Sequence, residues 1–219
     1  MFTEAEPGFV LQAYREGIFP MAEEAGSPFF DFYRPKMRGQ LSIEKLHIPK
    51  RLKKTVRQAP YKVTIDRAFV QIIDGCAAEG KNRKETWINP AIRDVFIKLH
   101  KEGFAHSVEC WEGDALAGGL YGLALGCVFC GESMVSFRRD ASKVALVHLA
   151  ARLWKGGFKI LDTQFTNPHL EQFGIYEIPQ EKYETLIKKE MKKRADFRLE
   201  GIDEKELVEA YLQFQGQNL

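Results

Sequence analysis

Hydrophobic periodicity divides the chain into elements before any other property is used. Over "NPAIRDVFIKLHKEG" the apolar residues Ile92, Val95, Phe96 and Leu99 recur at helical spacing. Asn89 and Pro90 stand where a cap and a first turn belong, and Gly103 stops the run. The same reading gives a short helix over "GFVLQAYREG", closed by Gly17 and Pro20, and an extended aromatic stretch, "SPFFDFYRP". "RGQLSI" reads as a strand entering the main domain, "IPKRLKKTVRQA" as a helix, "YKVTID" as a strand and "RAFVQIIDGCAA" as a helix. "GKNRKETW" reads as a polar, basic loop. Alternation and turn residues then predict an antiparallel meander of "AHSVECW", "ALAGGLYGLALG" and "CVFCGESMVSF". The helix "DASKVALVHLAARLWKGG" and the strand "FKILDTQF" follow. Two more helices, "QEKYETLIKKEMKKR" and "DEKELVEAYLQF", close the chain, the last opened by Asp203 with Glu206 three residues on. Helices, then a meander, then a helix and a strand predict an α+β fold, one sheet covered by helices.

Composition narrows this picture. The 219 residues are 45% hydrophobic and 12% aromatic, enough for one packed domain with a small partner. The expected division is a small N-terminal domain over 1–37 and the main domain over 38–219. No apolar run reaches membrane-spanning length, and "MFTEAEPGF" lacks the marks of a signal peptide, so the expected location is cytoplasmic. The net charge is only +2, but residues 45–62 hold no acid and seven Lys or Arg, among them Lys50, Lys53, Lys54 and Arg57. That block suits a polyanion, although a solvated helix face would look the same.

Metal and nucleotide chemistry find little support. Cys127 and Cys130 form a C-x-x-C without a second pair, and no two histidines stand at ligand spacing, so no metal is expected. There is no phosphate-binding P-loop. The turn "SFRRDASK" after the long strand has no glycine, where an acetyl-CoA enzyme of this topology would bring backbone amides to a pyrophosphate. Three polar residues in strands stand out. Glu132 lies in an apolar strand, as half of an ion pair with Arg138 or Arg139, as an exposed strand end, or as a functional carboxylate. Asp162 and Gln164 stand two apart, hence on one face of their strand, as the lip of a cleft or as its exposed end.

"GIFPM", "TWI", "AHSVECW", "GGLYG", "FCGESMVS", "DASKVAL", "LDTQF" and "HLEQFG" occur in that order. Together they resemble the leucyl/phenylalanyl-tRNA–protein transferases, over about residues 9–191. The resemblance implies an acetyltransferase-like domain that lacks a CoA site. It implies transfer of Leu, Phe or Met from aminoacyl-tRNA to a protein's N-terminal Arg or Lys, marking it for proteolysis, with no cofactor and from a monomer. It implies that Asp162 and Gln164 assist deprotonation of the attacking amine; by residue chemistry Gln164 holds that amine or its carbonyl, Asp162 orients Gln164, and Glu132 grips an ammonium group of donor or acceptor. The side-chain pocket would draw on Leu120, Phe129, Met134, Leu146, Leu149, Leu153 and Leu161, each of which also reads as plain core. Trp87, Ser136 and Asn167 match family positions near the cleft, and the basic helix would follow acceptor-stem phosphates. The match departs at Met21, where the family often carries tryptophan, and over "FDFYRP"; both bear on adenosine docking. Two rivals remain, an acyl-CoA N-acyltransferase and a non-catalytic tRNA-binding protein.

Overall fold

The computed structural model describes residues 1–78 and 86–217. Most of the expected basic loop over 80–87 therefore lies outside the described residues. The chain begins with helix α1 (Pro7–Arg15) and a two-stranded sheet, β1 (Phe19–Met21) with β2 (Asp31–Tyr33). Then come β3 (Met37–Leu41), α2 (Lys50–Gln58), β4 (Lys62–Ile65), α3 (Phe69–Ala77) and α4 (Pro90–Lys101). The meander is β5 (Ala105–Glu112), β6 (Ala115–Leu125) and β7 (Val128–Ser136). After α5 (Ala141–Lys155) come β8 (Ile160–Gln164), α6 (Pro168–Glu171), β9 (Tyr176–Pro179), α7 (Gln180–Glu190) and α8 (Glu204–Gln217).

Seven strands form one mixed sheet in the order β4-β5-β6-β7-β8-β3-β9. Every neighbouring pair is antiparallel except β7 with β8, which follows from the α5 crossover between them. Helices cover both faces. One apolar cluster packs α2, α5 and α8 on the sheet, and the other packs α1, α3, α4 and α7. Because α5 is enclosed by the sheet, α2 and α8, 12 of its 15 residues are buried and it shows no single apolar stripe. Close approach of α3 on the opposite face needs Gly119, where a Cβ would stand 2.6 Å from Ile72 Cδ1.

The expected α+β architecture is present, and α4 starts as its sequence indicates, with Asn89 Oδ1 accepting from the Ile92 amide at 2.9 Å. Three short elements carry no clear sequence signal: β1, α6 and β9. The N-terminal elements share an apolar cluster with the main sheet through Val10, Tyr14, Phe19 and Phe30. All four cysteines are buried free thiols, and no metal-binding cluster occurs among the described residues. No helix among the described residues is long and apolar enough to cross a membrane.

Candidate active site

The site begins where two strands part. β7 and β8 pair only from Val128↔Ile160 to Cys130↔Asp162, while β7 stays on β6 up to Ser136. Past Cys130 the gap opens into a cleft of about 1010 Å³, lined in part by residues 131–137, Thr163 and residues 167–170. Among the residues singled out from sequence, Trp87, Leu120, Glu132, Met134, Ser136, Leu149 and Asn167 line it. Phe129, Leu146, Leu153 and Leu161 do not; they are buried in the α5-side core, where Phe129 stacks on Phe197 at 5.3 Å. Met21 is half-buried on β1, packed against the other cluster.

Asp162 and Gln164 do not form an exposed lip. Asp162 is fully buried below the cleft, and its carboxylate accepts four hydrogen bonds. Arg38 donates two of them, Nε to Oδ1 at 2.8 Å and Nη2 to Oδ2 at 2.7 Å. Tyr183 OH donates to Oδ2 at 3.1 Å, and the Gln164 amide donates to Oδ1 at 3.1 Å. Four bonds saturate a carboxylate, so this one serves as an anchor. Arg38 is itself boxed in, over the Phe19 ring at 4.7 Å and the Tyr183 ring at 4.3 Å, with Nη1 on the Gly17 carbonyl at 2.9 Å. Burial disfavours its charge, but Asp162 more than restores it, and the guanidinium is held firmly protonated.

Gln164 turns at the strand's end with φ at 63°, a region that L side chains seldom occupy. Its backbone is held by Asp162 while its Nε2 crosses the gap to Glu132 Oε1 at 3.0 Å. Tyr14 OH, from α1, donates to the same oxygen at 2.7 Å. Glu132 Oε2 is buried in the cleft wall and has no hydrogen-bond partner among the described residues. Burial pushes the Glu132 pKa up to about 7, against the lowering effect of the bonds from Tyr14 and Gln164. Glu132 thus pairs with neither Arg138 nor Arg139; Arg138 meets Glu112 at 3.2 Å. The arrangement sets an ionisable carboxylate, one oxygen of which has no partner among the described residues, beside the cleft.

Other positions set the walls. Ser136 Oγ donates to Ser142 Oγ at 2.8 Å and accepts from the Ser142 amide at 2.9 Å, fastening β7 to the start of α5. Asn167 Oδ1 caps α6 by accepting from the Leu170 amide at 3.0 Å. His169 and Thr163, unmarked by sequence reasoning, also line the cleft, and Thr163 Oγ1 is buried without a partner. On α2, Leu52 and Val56 face the core while Lys50, Lys54 and Arg57 are exposed and Lys53 is half-buried. Arg57 reaches Glu209 at 3.4 Å; Lys50, Lys53 and Lys54 have no ion pair among the described residues.

Comparison with known proteins matches this frame. The profile described as leucyl/phenylalanyl-tRNA protein transferase covers residues 40–188, and that of the family's N-terminal domain covers residues 4–30. The chain belongs to the leucyl/phenylalanyl-tRNA protein transferase family. Three curated relatives bear the name leucyl/phenylalanyl-tRNA–protein transferase. The one from Hyphomonas neptunium is 50% identical over 191 residues, 87% of this chain and 74% of the relative. That from Nitrobacter winogradskyi is 52% identical over 195 residues, 89% of this chain and 87% of the relative. That from Phenylobacterium zucineum is 49% identical over 188 residues, 86% and 85% of the two chains.

Proposed function

We propose that this enzyme moves Leu, Phe or Met from aminoacyl-tRNA to the N-terminal amine of a protein that begins with Arg or Lys, creating a signal for proteolysis. The observation that carries this reading is Glu132 Oε2, an unpartnered carboxylate oxygen in the wall of the cleft. In this reading it receives the α-ammonium of the donor's amino acid. The acceptor amine, with an ordinary pKa of about 7.7–8.0, attacks the ester carbonyl. The C–N bond forms, the bond to the ribose 3′-oxygen breaks, and the amine's proton ends on that oxygen. An ester is activated enough for aminolysis without ATP, so the protein's part is alignment and charge stabilisation. Gln164 holds the reacting groups from its strained turn, and Asp162 with Arg38 holds that turn.

Leu120, Met134 and Leu149 offer an apolar wall to the donor side chain. Trp87 lines the same cleft, and its carbonyl accepts from the Ala22 amide beside Met21, which makes these two the candidates for the adenosine. Lys50, Lys53, Lys54 and Arg57 would follow acceptor-stem phosphates without regard to sequence. Parallel β7 and β8, parting around the reacting groups, support the acetyltransferase-like reading of the domain, and we take the working unit to be a monomer. Incubation with labelled leucyl-tRNA and a peptide starting with Arg, against one starting with Gly, tests the function. Label should reach the Arg peptide alone; label on neither peptide overturns the reading.

A further inference from the structure

Phe137 is an exposed aromatic at the mouth of the cleft with no role in the chemistry above. It follows directly on β7, is 46% exposed, and lines the cleft. One side of its ring is backed by α3. A Cβ built on Gly75 would stand 2.7 Å from Phe137 Cζ, so the ring lies against bare helix backbone. The backbone beneath it is pinned, because the Phe137 and Arg138 amides both donate to the Ala117 carbonyl, at 2.8 and 2.9 Å. A large apolar ring is thus held rigidly at an edge facing solvent.

Its surroundings say what could cover it. The segment after Phe137 joins the cleft to the basic helix. Tyr61 OH donates to the Arg139 carbonyl at 2.8 Å, and Arg51 of α2 reaches Asp140 at 3.3 Å. Asp140 also meets Lys143 at 2.8 Å and Arg139 at 3.7 Å, so one carboxylate faces three cations and the rim keeps a surplus of positive charge. Phe137 stands five residues beyond Glu132, just past the end of β7, about 17 Å at the rise of an extended chain. A strand of nucleotides reaching Glu132 from the side of α2 has this rim on its way, because Arg51 of α2 and Asp140 join the helix to the segment after Phe137. An aromatic face among surplus cations is the usual ground for unpaired nucleotides, which stack by their bases and are held by their phosphates.

We propose that Phe137 is a positioning residue on which the base preceding the donor's terminal adenosine stacks as the single-stranded 3′ end enters the cleft. The inference rests on the proposed aminoacyl-tRNA donor. It is tested with three leucyl donors that differ only upstream of the ester: leucyl-tRNA, leucyl-cytidylyl-adenosine and leucyl-adenosine. Phe137→Ala should lower kcat/KM for the first two by roughly 5- to 150-fold, mostly through KM, and leave leucyl-adenosine within about twofold. Phe137→Trp should restore transfer, since any large flat ring serves. Gly75→Ala should reproduce the donor-selective loss by displacing the ring, with the melting temperature kept. A loss of equal size on all three donors, or on none, overturns the stacking role while wild-type transfer from leucyl-tRNA still upholds the function.

Discussion

Asp162 and Glu132 stand on neighbouring strands and share one residue, Gln164, which gives its backbone amide to the first and its side-chain Nε2 to the second. Asp162 is fully enclosed, its four lone-pair positions filled by Arg38, Tyr183 and Gln164. Glu132 has both its bonds on one oxygen, and the other has no partner among the described residues. A filled carboxylate holds its neighbours in place; a half-filled one can bind. The comparison separates anchor from contact in a place where residue type alone makes two acids look alike.

The largest effect should come from breaking the anchor. Asp162→Ala leaves the Arg38 guanidinium buried and uncompensated, which costs about 3–5 kcal/mol of stability in such pairs. Chemical denaturation measures this directly. Transfer should fall as well, because the Gln164 turn loses its backbone acceptor. Replacing Arg38 and Asp162 together by leucine should cost less stability than Asp162→Ala alone. A double variant worse than the single would show that the pair is not what makes the position costly.

Glu132→Gln should do the reverse, sparing stability and lowering transfer about 10- to 150-fold, the worth of one hydrogen bond to a charged group. The pH dependence sharpens the contrast. The folded pKa of Glu132 lies above its ordinary 4.5, at about 7, because of burial. Its stabilising contribution is therefore complete below the ordinary value and lost as pH rises through about 7. Glu132→Gln cannot ionise, so its stability relative to wild type should rise across that window and then level off. Wild-type kcat/KM should climb with a limb near pH 7 that the variant lacks, leaving only the limb of the acceptor amine. An unchanged profile would remove Glu132 from the binding step.

The same contrast between filled and open charge applies to α2. Arg57 is paired with Glu209, whereas Lys50, Lys53 and Lys54 are not paired among the described residues. Replacing these three lysines by glutamine should flatten the log–log salt dependence of tRNA binding by somewhat under one unit per lost phosphate contact. Arg57→Gln should change it less. A slope equal to wild type in the triple variant would return the helix to a solvated face.

How much of this the sequence discloses depends on the span of each interaction. The Asn89 cap works within three residues, and α4 is legible to its first residue. The i, i+2 rule points at Asp162 and Gln164 as a pair on one strand. It does not reveal that Asp162 lies below the cleft, because its chief partner, Arg38, is 124 residues away. Tyr14 falls on the apolar stripe of α1 with Val10 and looks like core; its bond to Glu132 spans 118 residues. Short pieces such as β9 stay hidden because four residues do not establish a period, and their pairing with β3 decides them.

The smallest effect concerns the cleft wall, and it separates apolar residues that line from those that fill. Met134 and Leu120 face each other across β7 and β6 and both line the cleft, whereas Leu153 on α5 is wholly buried. A wall of unbranched and γ-branched side chains suits Leu, Phe and Met, while a β-branched guest crowds the ester beside Glu132. Shape alone discriminates by only about 1–3 kcal/mol per methylene-sized difference, so Ile and Val should transfer roughly 10- to 100-fold more slowly than Leu. Met134→Ala enlarges the wall and should favour Phe over Leu by no more than about tenfold. Leu153→Ala should instead lose stability and leave the preference as it was, because its cavity opens inside the core. Transfer to an Arg peptide from tRNA charged with each amino acid in turn measures both. Ile transferred as fast as Leu, or a preference moved by Leu153→Ala and not by Met134→Ala, would mean that the donor side chain lies somewhere other than this wall.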